Sequence, residues 1–526
     1  MTASRLLLWK YSDKHATIDE KHLLMTTNPL PAAVHATSQP KIGLRAWMEA
    51  VLVECERVEV GFEPDPVHDL RVALRRCRSM ADDLMAMDSD SSWKRMKKAG
   101  KKVFQSLGGL RDMQVMQQWI QKLANADDPI ALALRAHMRE REHECKQEAT
   151  KALQQFDRKQ WKQWSRSLPR RSSRLRPGSI VFKHLALEKW TAAYDLHKRA
   201  LHSRSPSAFH NLRIGIKRLL YTVENFLPSE HAAWGADLKD LQDCLGDVHD
   251  LDVLWNTALE ISAFPNVESR LHWRQLVIEK RSTRLERYRE KMVGKHSLWR
   301  VWRAELPSGP QLRVAAVARL RTWASYLDPD FQHSQRVAQL ALSLFDGLNH
   351  AGLIGPNGDP DSRAVLQAAA LVQDIGKSKG YKAHHKSSFR MIRNLTQPLG
   401  WTARETQLLA VVARYHRGAL PASNRKSMQM LTLPDRHLAQ LLAGVLRLAN
   451  SLERRDAAVP KLQVAADDRV IVIHAASYSP LDRSAEEVAA ARHLLEIVLR
   501  RPVIVRPLRS PGSTRASRTL SLTRRS

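Results

Sequence analysis

The chain has 526 residues, 43% of them hydrophobic, so it is too long for one compact core and too apolar to be disordered throughout. Lys and Arg number 84 against 54 Asp and Glu, which gives a formal net charge of +30. That charge predicts a polyanionic partner: nucleic acid, polyphosphate or an anionic membrane surface. The sequence contains no run of about 18 apolar residues, so we expect no segment that spans a bilayer.

The cysteines and the composition along the chain predict a cytoplasmic, mainly helical protein of several parts. Four cysteines occur without a CxxC pair, which argues against both a zinc knuckle and a disulfide framework. Long helical patterns without Gly or Pro dominate two regions, separated by a Pro- and Gly-containing linker at 305–310. The predicted parts are a lead-in (1–34), a helical region (35–305), a second, mainly helical region (306–506) and a basic disordered tail (507–526).

Two motifs occur twice in the helical region 35–305, in the same order. Residues 68–78 read His-Asp-Leu-Arg-Val-Ala-Leu-Arg-Arg-Cys-Arg, and residues 210–220 read His-Asn-Leu-Arg-Ile-Gly-Ile-Lys-Arg-Leu-Leu. The second motif begins Leu-Gly-Gly-Leu-Arg-Asp in 107–116 and Leu-Gly-Asp-Val-His-Asp in 245–254. A paired repeat of this kind predicts two related helical bundles.

The first motif places its cationic side chains on one helix face. At about 100° per residue they fall within an arc of about 80°, and the second copy uses the same arc. The candidate anion-binding residues are His68, Arg71, Arg75 and Arg78 in the first copy and His210, Arg213 and Lys217 in the second. Neighbouring cations repel each other, and a bound phosphate group would relieve that repulsion. Leu220 replaces Arg78 in the second copy, so we expect the first copy to contribute more.

The surrounding residues leave alternatives open. Lys94, Lys97 and Lys101 share one face of the next helix and extend the candidate site. A charged face is usually just solvated, but the repetition of the arc argues against that interpretation. A metal role for the motif histidines is disfavoured because no Cys or second His lies at ligand spacing. For Asp112 and Asp250, which follow glycines, we favour a turn or helix-cap role.

These residues carry a family resemblance. The repeated His-Asx-Leu-Arg and Leu-Gly-x-x-Arg/His-Asp motifs resemble those of the CHAD domain (conserved histidine α-helical domain) over residues 35–305. The resemblance implies two pseudo-symmetric helical bundles around a basic surface or pore. It also implies inorganic polyphosphate as the ligand of the matching residues. The fold class expected for the whole chain is mostly all-α.

The second region carries a different resemblance. His333 begins an amphipathic helix, and Gln373-Asp374, Tyr-x-x-His-His-Lys (381–386), Arg-Tyr-His-Arg (414–417) and Asn450 follow. The order resembles the HD-type C-terminal domain of the exopolyphosphatase/guanosine pentaphosphate phosphatase family. The candidate secondary anion cluster consists of Lys377, His384, His385, Lys386, His416 and Arg417. Strands are expected at 469–474 and 503–505, with a helix at 485–499 between them.

The metal set of an HD hydrolase is incomplete in this sequence. Such an enzyme needs a His, a His-Asp pair and a further Asp around a divalent cation that activates water. Gln373 and Asn450 replace two of these, and only His333 and Asp374 match. We therefore expect no catalytic residue, no bound metal and no cofactor. A metal-dependent phosphohydrolase acting on a phosphate ester, nucleotide or polyphosphate is the alternative.

The sequence thus favours a noncatalytic, cytoplasmic polyphosphate binder with an accessory or regulatory role in polyphosphate metabolism or granules. No membrane association is expected, and the oligomeric state is left open. Nucleic-acid binding is a further alternative that the basic tail and 14 Trp residues allow. It is disfavoured because aromatic residues are not interleaved with the basic motifs, as a base-stacking surface requires.

Overall fold

The computed structural model describes residues 43–454 and 462–508. Within these ranges the chain folds into α-helices with one small sheet near the C-terminal end, which confirms the mostly all-α prediction. None of the described helices is long and apolar enough to cross a membrane. The predicted lead-in lies outside the described residues, as does the predicted basic tail after residue 508.

Eleven helices build the first region as far as residue 304. They are α1 (Leu44–Gly61), α2 (Pro64–Leu84), α3 (Ser91–Ser106), α4 (Gly108–Leu123), α5 (Pro129–Gln154), α6 (Arg158–Ser172), α7 (Ile180–Ser203), α8 (Pro206–Phe226), α9 (Pro228–Glu260), α10 (Val267–Met292) and α11 (Leu298–Ala304). Proline occupies the first position of both motif helices, α2 and α8, where its missing N–H costs no helical hydrogen bond. Both begin only a few residues before the motif histidines.

Both copies of the repeat contribute to one continuous hydrophobic core. It runs from Leu44 to Leu306 and includes the apolar sides of α2 and α8, as their sequence pattern predicted. Its largest fully buried side chains include Trp93, Trp161 and Trp234. A smaller core joins the far ends of α4, α5, α9 and α10. The two motif helices are therefore held by one packed interior, which fixes their polar faces relative to each other.

The first seven described helices after the predicted linker pack around a second core. They are α12 (Pro310–Leu327), α13 (Phe331–His350), α14 (Pro360–Val372), α15 (His384–Arg393), α16 (Ala403–Arg414), α17 (Lys426–Gln429) and α18 (Leu433–Leu452). A 3₁₀ turn, Ile375–Lys379, follows α14 after Gln373 and Asp374. Helix α12 packs on α7, where His184 Nε2 hydrogen-bonds the Leu399 carbonyl oxygen at 2.9 Å. The two helical regions thus share a packed contact.

The small sheet has three strands. Strand β2 (Ile471–Ala475) pairs antiparallel with β1 (Leu462–Ala466) and parallel with β3 (Val503–Pro507). Helix α19 (Ser484–Leu499) connects β2 to β3 and packs on α18. Strands β2 and β3 and the helix between them fall where the sequence predicted them. The sequence analysis missed strand β1. Three of its five residues are exposed, and its sequence contains few β-branched residues.

Candidate functional site

The polar arcs of α2 and α8 face a shared cavity of about 1040 Å³. Helices α4 and α9, which carry the second motif, supply much of its remaining wall. The predicted residues that line it are His68, Arg71, Arg75, Arg78, Lys97, His210, Arg213 and Lys217. The structure therefore gathers both copies into one site. Lys94 and Lys101 are exposed on α3 and do not line it, while Lys97 pairs with Asp82 at its edge.

Aromatic rings and a carbonyl group orient the arginines of the first copy. Arg71 Nη1 donates to the Phe104 carbonyl oxygen at 2.9 Å, and its guanidinium carbon lies 4.4 Å from the Phe104 ring centroid. The guanidinium of Arg78 lies over the same ring at 5.0 Å, and that of Arg75 lies 5.9 Å from the Tyr221 ring. Such cation–π contacts hold guanidinium groups without neutralising their charge.

Several of these cations have no acidic partner. Among the described residues, Arg71, Arg75, Arg213 and Lys217 form no salt bridge with a carboxylate. The buried Nε atoms of Arg78 and Arg213 have no hydrogen-bond partner in the described part of the chain. A buried, unpaired charged donor is costly, and an anion in the cavity would satisfy it.

The second copy differs in its electrostatics. Burial, together with the charges of Arg213 and Arg75, lowers the pKa of Lys217 to about 7. His210 Nδ1 lies 3.2 Å from His249 Nδ1, and burial with the charge of Arg213 lowers the pKa of His249 to about 4. Lys217 is therefore the cation in this crowded set that changes its protonation state near neutral pH.

The predicted turn or cap role of Asp112 and Asp250 is wrong. Both lie inside helices, α4 and α9, and both side chains line the cavity. Burial raises the pKa of Asp250 to about 6, although Arg213 and Lys217 act in the opposite direction. Burial likewise raises the pKa of Asp112. These carboxylates offset part of the positive charge without pairing directly to it.

The glycines that suggested a turn lie within helices, and one of them allows two helices to pack closely. A Cβ on Gly109 would lie 2.6 Å from Cys145 Sγ, so this glycine lets α4 approach α5. Gly246 lies inside α9, where a Cβ would sit 3.8 Å from Arg213 Nε in the cavity. The sequence alone could not separate a glycine at a turn from one at a helix contact.

Other lining residues were missed by the sequence analysis. Arg111 and His249 occupy equivalent positions of the second motif, so the repeat itself was the signal that could have identified them. Lys189 and Tyr221 lie outside both motifs and reach the cavity only through helix packing. Lys189 Nζ pairs with Asp83 Oδ1 at 3.5 Å, so it adds little free charge.

The HD metal set does not fit a metal ion in this chain. Gln373 Nε2 donates to Asn450 Oδ1 at 3.1 Å, and Asn450 Nδ2 donates to Gln373 Oε1 at 2.7 Å. The two substituted positions therefore satisfy each other. His333 Nδ1 lies 2.9 Å from Glu453 Oε2, and its Nε2 is 3.9 Å from Asp374 Oδ2. No water-activating step can be derived through this set of residues.

Only three members of the predicted secondary anion cluster contact Asp374. Lys377 Nζ lies 2.6 Å from Asp374 Oδ2, while His384 Nε2 and His416 Nε2 lie 2.9 and 3.6 Å from Oδ1. Both histidines are buried, and burial lowers the pKa of His416 to about 3 despite the nearby carboxylate. The other members are less buried: His385 is partly covered, and Lys386 and Arg417 are exposed.

Comparison with known protein families gives one match in each of the two helical regions. Residues 43–259 match the CHAD domain, and residues 312–476 match domain III of the Ppx/GppA phosphatase family. The chain therefore carries a CHAD domain followed by an exopolyphosphatase-like C-terminal domain, which confirms both predicted resemblances. Together the two domains connect the protein with polyphosphate-related function.

Proposed function

We propose that this protein binds inorganic polyphosphate in the cavity between the two motif copies, without hydrolysing it. The observation that carries the proposal is a set of cations, Arg71, Arg75, Arg213 and Lys217, that face the cavity and form no salt bridge with any described residue. Arg71, Arg75 and Arg213 supply forked donors suited to phosphate oxygens, and Lys217 supplies a compact charge. The volume, about 1040 Å³, is at the upper end of the usual range for ligand pockets, so it has room for several linked phosphates.

The arrangement of the site suits a polymer of identical units. Equivalent side chains of the two copies line the same cavity, Arg71 with Arg213 and Arg75 with Lys217. A linear polyphosphate presents the same charged groups in both chain directions, so it can satisfy two equivalent half-sites at once. A nucleic-acid strand has a direction and needs aromatic faces for its bases. The rings of Phe104 and Tyr221 are covered by guanidinium groups, which favours the polyphosphate assignment.

The noncatalytic part of the proposal rests on the C-terminal domain. Its HD positions hold two mutually paired amides, Gln373 and Asn450, in place of imidazole and carboxylate ligands. The protein would then act as an accessory or regulatory binder in polyphosphate metabolism or granules. Phosphate release from long-chain polyphosphate by the purified protein, absent in Asp374→Ala, would instead support the hydrolase alternative.

Isothermal titration with polyphosphate of defined length tests the binding site. The variant with Arg71, Arg75, Arg213 and Lys217 all replaced by Ala should lose at least about 100-fold in affinity, because each charge-assisted contact contributes roughly 1.5–3 kcal/mol. Wild-type affinity should fall steeply with added salt. A matched control replaces the exposed residues Arg166, Arg270, Arg274 and Lys280 by Ala, which removes the same charge away from the cavity.

The control separates a specific site from diffuse attraction. Equal losses in the two variants would show that overall charge, not the cavity, binds the polymer. Competition at matched salt between polyphosphate and single-stranded RNA distinguishes the nucleic-acid alternative. RNA that displaces polyphosphate at equal phosphate concentration would contradict the proposal.

A further inference from the structure

We propose that Asp374, His384 and His416 form a transition-metal site, with Zn²⁺ as the ion that best fits their chemistry. The three ligand atoms, Asp374 Oδ1 and the two Nε2 atoms, all lie within 4.8 Å of one another, and all three residues are buried. The site shares only Asp374 with the HD metal set. None of its three residues lines the cavity between the two motif copies.

The hydrogen bonds of the two rings fix their tautomers. His384 Nδ1 lies 3.0 Å from the Tyr381 carbonyl oxygen, and His416 Nδ1 lies 2.8 Å from that of Ala413. A carbonyl oxygen only accepts, so both Nδ1 atoms carry the proton. In neutral rings both Nε2 atoms then present lone pairs. A backbone carbonyl that holds the far nitrogen in this way is the usual second partner of a metal-bound histidine.

The three lone-pair atoms face one another at short range. His384 Nε2 and His416 Nε2 are 3.3 Å apart, and they lie 2.9 and 3.6 Å from Asp374 Oδ1. Oδ1 is buried without a hydrogen-bond partner among the described residues, with His384 Nε2 close enough to form an ion pair if that ring is protonated. When both rings are neutral and protonated at Nδ1, three acceptors at this distance repel each other unless a proton or a metal ion lies between them.

The distances match a small tetrahedral ion. Ligand bonds of about 2.0–2.1 Å to zinc imply separations of about 3.3–3.4 Å between ligand atoms. The three observed separations, 2.9, 3.3 and 3.6 Å, scatter around that value. Two imidazoles and one carboxylate oxygen suit Zn²⁺ or Co²⁺ rather than Mg²⁺ or Ca²⁺, which prefer all-oxygen sets.

The backbone holds the ligands in place from three elements. Asp374 precedes the 3₁₀ turn, His384 begins α15, and His416 follows α16. A Cβ on Gly376 would lie 2.2 Å from the His384 carbonyl oxygen, so only glycine lets the turn lie against α15. Ala383 adopts the left-handed region at φ 54°, a strained conformation that directs the chain into His384. A bound ion would cross-link these elements.

The second carboxylate oxygen supports the same assignment. Lys377 Nζ holds Asp374 Oδ2 at 2.6 Å, which leaves Oδ1 as the oxygen that faces the rings. A metal-bound carboxylate is typically hydrogen-bonded through its other oxygen in this way. Three protein ligands leave a fourth position for water or an anion.

Metal content of the full-length protein tests the site. The protein is stripped with EDTA, loaded with Zn²⁺ or Co²⁺ and dialysed, and its metal is measured by mass spectrometry. We expect one ion per chain in wild type and visible absorption typical of four-coordinate Co²⁺. His384→Gln and His416→Gln should lose the ion. His333→Gln, in the HD set, and His249→Gln, in the other close histidine pair, should retain it.

Several outcomes would overturn the proposal. If the wild-type protein holds no stoichiometric metal, the two Nε2 atoms are joined by a hydrogen bond and not by a metal ion. Retention of the ion by His384→Gln and His416→Gln, or its loss from His333→Gln, would place it elsewhere. If the two site variants fail to fold, zinc X-ray absorption of wild type decides, since scattering from two imidazoles is expected. A spectrum with one imidazole or none would contradict the ligand set.

Discussion

The two motif copies occupy equivalent helices but differ in how their charge is maintained. In the first copy, Arg71 and Arg78 lie over Phe104, and neither forms a salt bridge with a carboxylate in the described part of the chain. In the second copy, Leu220 stands in place of Arg78 and is buried. Lys217 takes the place of Arg75, and its pKa falls to about 7. The first copy thus keeps its positive charge over the physiological pH range, whereas the second copy contains one cation, Lys217, that can lose its proton.

The difference shows that position in a repeat does not determine charge. A guanidinium stays protonated when it is buried among other cations, whereas an ammonium loses its proton. Burial of Lys217 among other cations therefore weakens the positive charge of the second copy at neutral pH. A polyanion would reverse this by drawing a proton onto Lys217.

Paired substitutions in each copy should give the largest contrast. At pH 7.5 we expect Arg71→Ala with Arg75→Ala to weaken polyphosphate binding about 100-fold, and Arg213→Ala with Lys217→Ala only about tenfold. The reason is that about half or more of the Lys217 side chains are already neutral at that pH. Titration calorimetry with one polyphosphate length measures both. Equal losses would show that the two copies contribute the same charge.

Replacing Lys217 by Met should stabilise the protein. The folded-state pKa of Lys217 lies near 7, below its ordinary value of 10.5, so the unfolded chain binds the proton more strongly. Lys217 therefore destabilises the folded state below pH 10.5, and the destabilisation is complete below pH 7. It decreases as the pH rises from 7 to 10.5. We expect the free energy of unfolding at pH 7 to increase by about 1–3 kcal/mol, measured by denaturant unfolding. The exposed Lys94→Met is the control and should change it by less than about 0.5 kcal/mol.

The smallest expected effect is on the pH dependence of binding. Polyphosphate favours protonated Lys217, with a pKa of about 7 in the free protein, and protonated Asp250, with a pKa of about 6. Affinity should therefore rise about three- to fivefold as the pH falls from 8 to 6, with proton uptake on binding. In Lys217→Arg the rise between pH 8 and 7 should disappear. A wild-type affinity that is flat over this range would contradict a titrating second copy.

Much of the fold and part of the site could be predicted from the sequence. The helix period placed Leu70 and Leu74 in the core and aimed Arg71 and Arg75 the other way, because side-chain direction follows from spacing alone. The role of Asp112 and Asp250 could not be predicted, since glycine near an aspartate fits a turn as well as a helix contact. Strand β1 was missed because its pattern is weak.

The sequence by itself determined the two families, the mostly helical class and the cationic faces, since composition and helix period are local properties of the chain. Only the tertiary structure brought both faces to one cavity and placed Lys217 there, partly buried among other cations. It also brought His384 and His416 to Asp374, although 32 residues separate the two histidines. Contacts between distant residues depend on how helices pack. The distances between these side chains, and the pKa values of the buried ones, follow from that packing.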